Sequence, residues 1–182
     1  MLSLQKDRPT ALDRPAPPNR GESLPEAIVN GVVASFIATG PMTWTIRALQ
    51  QFVPKRAGDR IPPRQITEAT LEKADLETAA EPAKNAAATL AHYGFGASAG
   101  ALMSLAVQAS PLSRPVTGAL YGLAVWGGSY LGWLPAAGLR RSATREPSER
   151  NVQMIAAHLV WGVVAAALVD RLGVEDHPQD KS

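Results

Sequence analysis

The stretch His92-Tyr-Gly-Phe-Gly-Ala-Ser-Ala-Gly-Ala-Leu102 recurs in pattern as His158-Leu-Val-Trp-Gly-Val-Val-Ala-Ala-Ala-Leu168. Each stretch has a histidine, an aromatic residue three positions later, a glycine at the fourth position and alanines at the seventh and ninth. Both lie inside long runs without a charged residue. The pattern therefore predicts membrane helices that each carry one buried histidine.

Four long runs of the chain contain no Asp, Glu, Lys or Arg, and these are Ala27–Ile46, Ala86–Ala109, Val116–Leu139 and Val152–Val169. A helix that crosses the hydrocarbon core of a bilayer needs about 20 apolar residues. Helices of a soluble bundle would instead carry a charged stripe facing water, and these runs have none. We therefore predict an all-α fold, a four-helix transmembrane bundle within residues 24–173, with helices over about 25–51, 86–109, 116–139 and 152–169.

The segments outside the runs are polar. Residues 1–23 are rich in proline and charge, which predicts a disordered tail, and residues 174–182 form a second polar tail. In the first loop, the prolines at 62 and 63 favour an extended start, because proline disfavours helix in the residue before it. A short interfacial helix is expected from Thr67, as N-cap, to about Ala80.

The first predicted helix contains Pro41 near its middle. The proline ring removes one hydrogen bond and frees the carbonyl of Ile37, so a kink is expected. The hydroxyls of Thr39, Thr43 and Thr45 are candidates to satisfy the backbone there.

Small residues form stripes on the predicted helices, and in lipid such stripes let two helix backbones approach closely. The candidate packing positions are Gly96, Gly100, Gly118, Gly122 and Gly162. The shared histidine pattern is explained either by two parallel helix-pair repeats or by coincidence in an alanine-rich chain.

The two histidines come at the same distance from the start of their runs, about 9 Å at 1.5 Å per residue. Aromatic residues and one arginine are expected at a similar depth. The candidate buried polar site is therefore His92, His158, Arg47, Trp44, Tyr130, Trp133 and Trp161.

Three roles are open for the histidine pair. Neutral imidazoles can hydrogen-bond across helices, which contributes about 0.6–2 kcal/mol each. They can handle protons, as ionisable groups within membrane spans often do. They can also ligate haem b, with Arg47 at the propionates and with Gly96 and Gly162 leaving room for the porphyrin. A metal held by His92 and His158 would lack further ligands, so no metal and no other cofactor is expected.

Other classes of function have little support in the sequence. There are no cysteines, and no Ser-His-Asp set, phosphate loop or pair of intramembrane carboxylates, so we do not expect an enzyme. The formal charge is only +2 and the basic residues are scattered, which argues against nucleic-acid binding. The expected partners are the lipid bilayer, a second copy of the chain or other membrane proteins.

Orientation follows from the bias of Lys and Arg toward the cytoplasm. The loops after the first and third predicted helices hold ten basic residues, against seven on the opposite side. This count places both termini outside the cytoplasm.

A family resemblance is carried by Asn151-Val-Gln-Met-Ile-Ala-Ala-His158-Leu-Val-Trp161, by Pro62-Pro63-Arg64 and by Leu134-Pro135. At these residues the chain resembles the YagU-like family of uncharacterised bacterial inner-membrane proteins, from the second through the fourth predicted helix. The resemblance implies a multi-pass inner-membrane protein linked to acid tolerance, without assigned catalytic residues. The expected function is a structural or proton-linked membrane component that uses His92 and His158.

Overall fold

A computed structural model describes residues 23–54, 62–74 and 80–175 of the chain, with side chains described as far as residue 172. The expected tails, apart from Ser23 and the last turn of the final helix, lie outside the described residues. The main helices are α1 (Leu24–Leu49), α2 (Pro62–Lys73), α3 (Glu81–Gly100), α4 (Met103–Ala109), α5 (Arg114–Gly127), α6 (Leu134–Ala136) and α7 (Ser148–Glu175).

Proline marks the beginning of the long helices. Pro25, Pro82 and Pro115 each lie in the first turn of a helix, where the missing N–H costs nothing because that donor has no intrahelical partner. At the start of α1, the backbone N–H of Ser23 also donates to the carboxylate of Glu26 at 2.8 Å. The local sequence therefore sets where these helices begin.

Within the described residues, three helical segments are long and apolar enough to cross a membrane, and these are Leu24–Phe52, Glu81–Ala109 and Ser148–Leu172. The expectation of four continuous spans is thus met only in part. After α5 the chain forms a π-helical segment, Gly128–Trp133, in which Gly132 leaves the helical region with φ −107° and ψ −105°. The predicted helix over 116–139 is interrupted there, and the predicted helix over 86–109 is divided between α3 and α4.

The threonines around Pro41 do not act as expected. The hydroxyls of Thr39, Thr43 and Thr45 each donate to the carbonyl four residues earlier, at 2.7–2.9 Å. Those carbonyls do not include that of Ile37, because a threonine side chain in a helix reaches the carbonyl of its own preceding turn. The helix runs without a break through the proline from Leu24 to Leu49.

The helix in the first loop is present, but its expected start was wrong. It begins at Pro62, five residues before Thr67, so the predicted extended start at residues 62–66 is helical. The reason is that both prolines lie in the first turn, where their missing donors are tolerated. Residues 75–79, over which the prediction extended the helix, lie outside the described residues.

Helices α5 and α7 meet backbone against backbone. A Cβ atom added to Gly118 would overlap the carbonyl of Gly162, and one added to Gly122 would overlap the carbonyl of His158. An added Cβ on Gly162 would in turn overlap Gly118. These three glycines, which the sequence analysis named as packing positions, thus lie where the two backbones are in contact.

Helices α1 and α3 make a similar contact. An added Cβ on Gly31 would overlap the carbonyl of Gly100, and one on Gly100 would overlap Ser35. In the repeated pattern Gly100 corresponds to Ala166, which is itself against Gly118. The two helix pairs thus cross at equivalent positions of the repeat.

The long helices pack in the order α3, α1, α7 and α5. Helix α7 packs between α1 and α5, and α1 packs between α3 and α7. The small-residue stripe of α3 therefore faces α1. Helices α3 and α5 form the two open sides of this arrangement.

We predict that Gly122→Ala destabilises the protein, while Gly127→Ala does not. The added methyl at 122 must displace the backbone of α7, which costs about 1–3 kcal/mol as overpacking does elsewhere. At 127 the methyl meets open space and alanine favours helix by up to about 1 kcal/mol. Thermal unfolding in detergent measures both variants. Equal transition temperatures for the two would contradict the backbone contact.

Candidate functional site

A cavity of about 360 Å³ lies between α3 and α5. Side chains of α1 and α7 line its inner wall, and Pro63, Ile66, Thr67 and Thr70 of α2 cover the end beside the arginine-rich loops. The lining is mostly apolar. An engineered apolar cavity of about 150 Å³ holds one benzene molecule, so this cavity has room for roughly two rings.

His158 is a buried polar side chain of the lining, with 4% of its surface exposed. Its Nδ1 atom lies 2.7 Å from the carbonyl oxygen of Met154, one turn earlier in α7. The ring of Tyr130 stands nearly perpendicular to the imidazole, with centroids 5.9 Å apart. These contacts fix the orientation of the ring and turn its other nitrogen away from its own helix.

His92 lines the same cavity from α3. Its Nε2 atom is buried and has no hydrogen-bond partner among the described residues. The ring of Tyr93 lies edge-on to it at 6.1 Å. The sequence therefore identified two residues that the fold brings to one cavity from helices that scarcely touch.

Tyr130, Trp133 and Trp161, also predicted for the site, line the cavity too. Trp161 is buried and donates from its indole nitrogen to the carbonyl of Ser35 at 3.2 Å. Trp133 is half-exposed and its indole donates to the hydroxyl of Ser129 at 3.3 Å. Three of the five non-histidine candidates are thus in place.

Trp44 and Arg47 are not part of the cavity, which corrects the prediction. Trp44 is 73% exposed and Arg47 is exposed as well. In α1 the buried face runs through Met42 and Ile46, and Trp44 lies halfway between them in sequence, on the opposite side of the helix. Matching depth along a helix does not ensure matching direction around it.

The arginine beside the site comes from a loop that sequence reasoning passed over. The guanidinium of Arg140 lies 5.6 Å from the centroid of the Tyr130 ring, on the side away from the helices' centre. It also bonds to Gln65 of α2 and pairs with Glu146 at 3.4 Å. The only feature of the sequence that could have indicated this arginine is the Arg140-Arg141 pair after the third uncharged run. Such a pair does not show toward which part of the fold either side chain points.

A buried glutamine joins the ends of α1 and α7. The amide of Gln153 is 1% exposed and donates to the carbonyl of Ile46 at 2.6 Å and to Gln50 at 3.0 Å. Arg150 donates to Gln50 and Gln153 at 3.3 Å. Carbonyls of the last helical turn lack intrahelical donors, and Gln153 supplies one. The network fixes the wall of the cavity at this end.

Arg64 holds α2 over the cavity. Its guanidinium bonds to Glu68 at 2.7 Å, to Glu81 at 2.6 Å, and to Asn85. Since Glu81 and Asn85 belong to α3, these bonds tie α2 to the start of α3. The hydrogen bond to Glu68 is the main cause that raises the pKa of Arg64 above its ordinary value.

The geometry gives no support to a haem held as the sequence suggested. The space beside Gly96 is occupied by the side chains of Thr39 and Trp161, and the space beside Gly162 is occupied by the backbone of Gly118. Neither glycine therefore leaves room for a porphyrin. Arg47, the expected partner of the propionates, points outward. Among the described residues no group of three or more His, Cys, Asp or Glu could hold a metal ion.

Residues 47–167 match the protein family DUF1440, described as a protein of unknown function. The chain belongs to this family. The match contains α2 to α6, most of α7 and both cavity histidines. No curated protein and no solved structure matches the chain.

We predict that Arg64→Gln loosens α2 from the bundle. Glutamine keeps some hydrogen-bonding capacity but carries no charge and cannot reach both carboxylates, so Glu81 loses its contact with Arg64 and keeps the longer one to Lys84 at 3.6 Å. Hydrogen exchange in residues 62–73 should become faster, while exchange in α7 stays unchanged. Glu72→Gln, an exposed position of the same helix, is the matched control and should leave exchange unaltered. Unchanged protection in Arg64→Gln would show that α2 is held by other contacts.

Proposed function

We propose that the protein is a multi-pass component of the bacterial inner membrane whose cavity responds to acid through His92 and His158. The observation that supports this most directly is the presence of both imidazoles in the lining of one apolar cavity. A proton taken up by either imidazole would therefore place a charge in the same apolar lining.

The surroundings of the pair define what protonation would do. The described lining contains no carboxylate, and its other titratable group is Tyr130, in the π-helical segment after α5. The guanidinium of Arg140 lies over the ring of Tyr130, and Arg140 is not part of the lining. A charge in apolar surroundings without a counter-ion is costly, so uptake of a proton favours water in the cavity or separation of its walls. α3 and α5 are the walls that can separate, since side chains alone join them.

The resemblance to the YagU-like family agrees with this proposal, because it implies an inner-membrane location and a link to acid tolerance. The count of basic residues places both termini outside the cytoplasm, so the cavity lies near the cytoplasmic surface. We propose no catalytic activity, and pairing with a second copy or another membrane protein remains a prediction.

We predict that His92→Gln with His158→Gln slows the recovery of cytoplasmic pH after acid challenge. Glutamine keeps polarity and hydrogen bonding but takes up no proton, so the loss reports the titrating group itself. Recovery is measured with a ratiometric pH-sensitive fluorescent protein in cells that lack the native copy. Each single variant should have an intermediate effect.

The matched control is Thr89→Ala, an exposed position one turn before His92 on α3. It should recover like the native protein. Recovery at the native rate in the double variant, at equal abundance in the membrane, would refute the proton role.

A further inference from the structure

The hydrogen bond between Nδ1 of His158 and the carbonyl of Met154 determines which ring nitrogen carries the hydrogen of the neutral imidazole. A carbonyl oxygen only accepts hydrogen bonds, so at 2.7 Å Nδ1 must donate. A neutral imidazole has a single N–H, which leaves Nε2 with a free lone pair. The described residues form no other hydrogen bond to this ring. The cavity therefore contains an open hydrogen-bond acceptor in an otherwise apolar wall.

Most donors of the lining are already engaged within the protein. Thr39, Thr67 and Thr70 give their hydroxyl hydrogens to carbonyls of their own helices at 2.8–3.0 Å. The indoles of Trp161 and Trp133 donate to Ser35 and Ser129. A bound molecule consequently meets an apolar surface with an acceptor at His158 and the unpartnered Nε2 of His92 nearby.

Access to the cavity is from the side. Phe95 of α3 and Trp133 of the π-helical segment after α5 both line the cavity and are 41% and 45% exposed. Their ring centroids lie 5.8 Å apart, so the two rings bridge these segments. The hydroxyl of Tyr121 in α5 donates to the carbonyl of Ala99 in α3 at 2.6 Å. The two exposed rings therefore lie between the cavity and the outer surface of the bundle.

We propose that this cavity binds an apolar molecule of about two-ring size that carries a hydroxyl group, with the hydroxyl donating to Nε2 of His158. The volume of the cavity limits the ligand to about two rings, and the apolar lining requires an apolar ring system. The free lone pair on Nε2 requires a hydrogen-bond donor on the ligand. A molecule of the same shape with only acceptor atoms would leave Nε2 buried without a partner, and an unmade bond of that kind is costly. The proposal goes beyond the response to acid and does not require it.

The test compares 2-naphthol with 2-methoxynaphthalene, which has the same ring system and no hydroxyl hydrogen. Binding to detergent-purified full-length protein at neutral pH is measured by equilibrium dialysis. We expect 2-naphthol to bind about three- to tenfold more tightly, as one net hydrogen bond allows. His158→Phe should abolish the preference, since phenylalanine keeps the ring and lacks the acceptor.

Binding of 2-methoxynaphthalene by His158→Phe shows that the variant is folded. Should that variant fail to fold, Ala99→Phe, which fills the cavity from α3, provides the second test and should weaken binding of both compounds. Thr43→Val is the matched control, because the Thr43 hydroxyl is already bonded to the carbonyl of Thr39 and the residue is not part of the cavity lining, and it should keep the native preference.

Equal binding of the two compounds, no binding of either, or a preference that persists in His158→Phe would overturn the proposal. These measurements are made without an acid step. A normal recovery of cytoplasmic pH in the histidine variants would therefore refute the proton role and leave the ligand proposal intact.

Discussion

The rest of the structure depends on the direct contact between the backbones of α5 and α7. Gly118 and Gly122 lie against Gly162 and the carbonyl of His158, and a single methyl group at any of the three glycines would overlap the opposite helix. In a bilayer the hydrophobic effect does not hold helices together, so close packing between small residues takes its place. The contact also determines where His158 lies, because Gly122 packs on its backbone.

A second contact of the same kind, between Gly31 and Gly100, fixes α3 on α1. Since α1 and α7 pack together as well, the two outer helices are left facing each other across a gap. The gap is closed by Phe95 and Trp133 at the side and by α2 at the end. The cavity is therefore a consequence of how two tightly packed helix pairs are joined, and its histidines come from equivalent positions of the repeat.

Much of this could be read from the sequence. Absence of charge identified the apolar helices, and the glycines expected to pack lie at close contacts between helices. The expected starts at residues 86, 116 and 152 fall two to five residues inside α3, α5 and α7, because prolines and polar residues of the first turns extend the helices beyond the uncharged runs. The sequence did not reveal which helix each stripe faces, because a stripe of small residues fits any neighbour. It also placed Trp44 and Arg47 in the site from depth alone, whereas rotation around α1 turns them outward.

The features that sequence reasoning missed depend on contacts between distant parts of the chain. Arg140 reaches Tyr130 from a loop, and Gln153 bonds to the last turn of α1, 107 residues away. The interruption at Gly132 follows from backbone angles that glycine permits but that its presence alone does not require. A pattern within one helix contains no information about such partners.

The arrangement is tested most directly by cross-linking α3 to α5 in membranes. The chain has no cysteine, so Phe95→Cys with Trp133→Cys introduces the only two thiols. We predict that a short bifunctional thiol reagent joins them within one chain, and that Phe95→Cys with Leu112→Cys, which lies in the connection between α4 and α5 at one end of the bundle, is not joined. Cross-linking of the second pair would contradict this arrangement. So would a lack of cross-linking in the first pair, in protein whose two thiols are both shown to react with a labelling reagent.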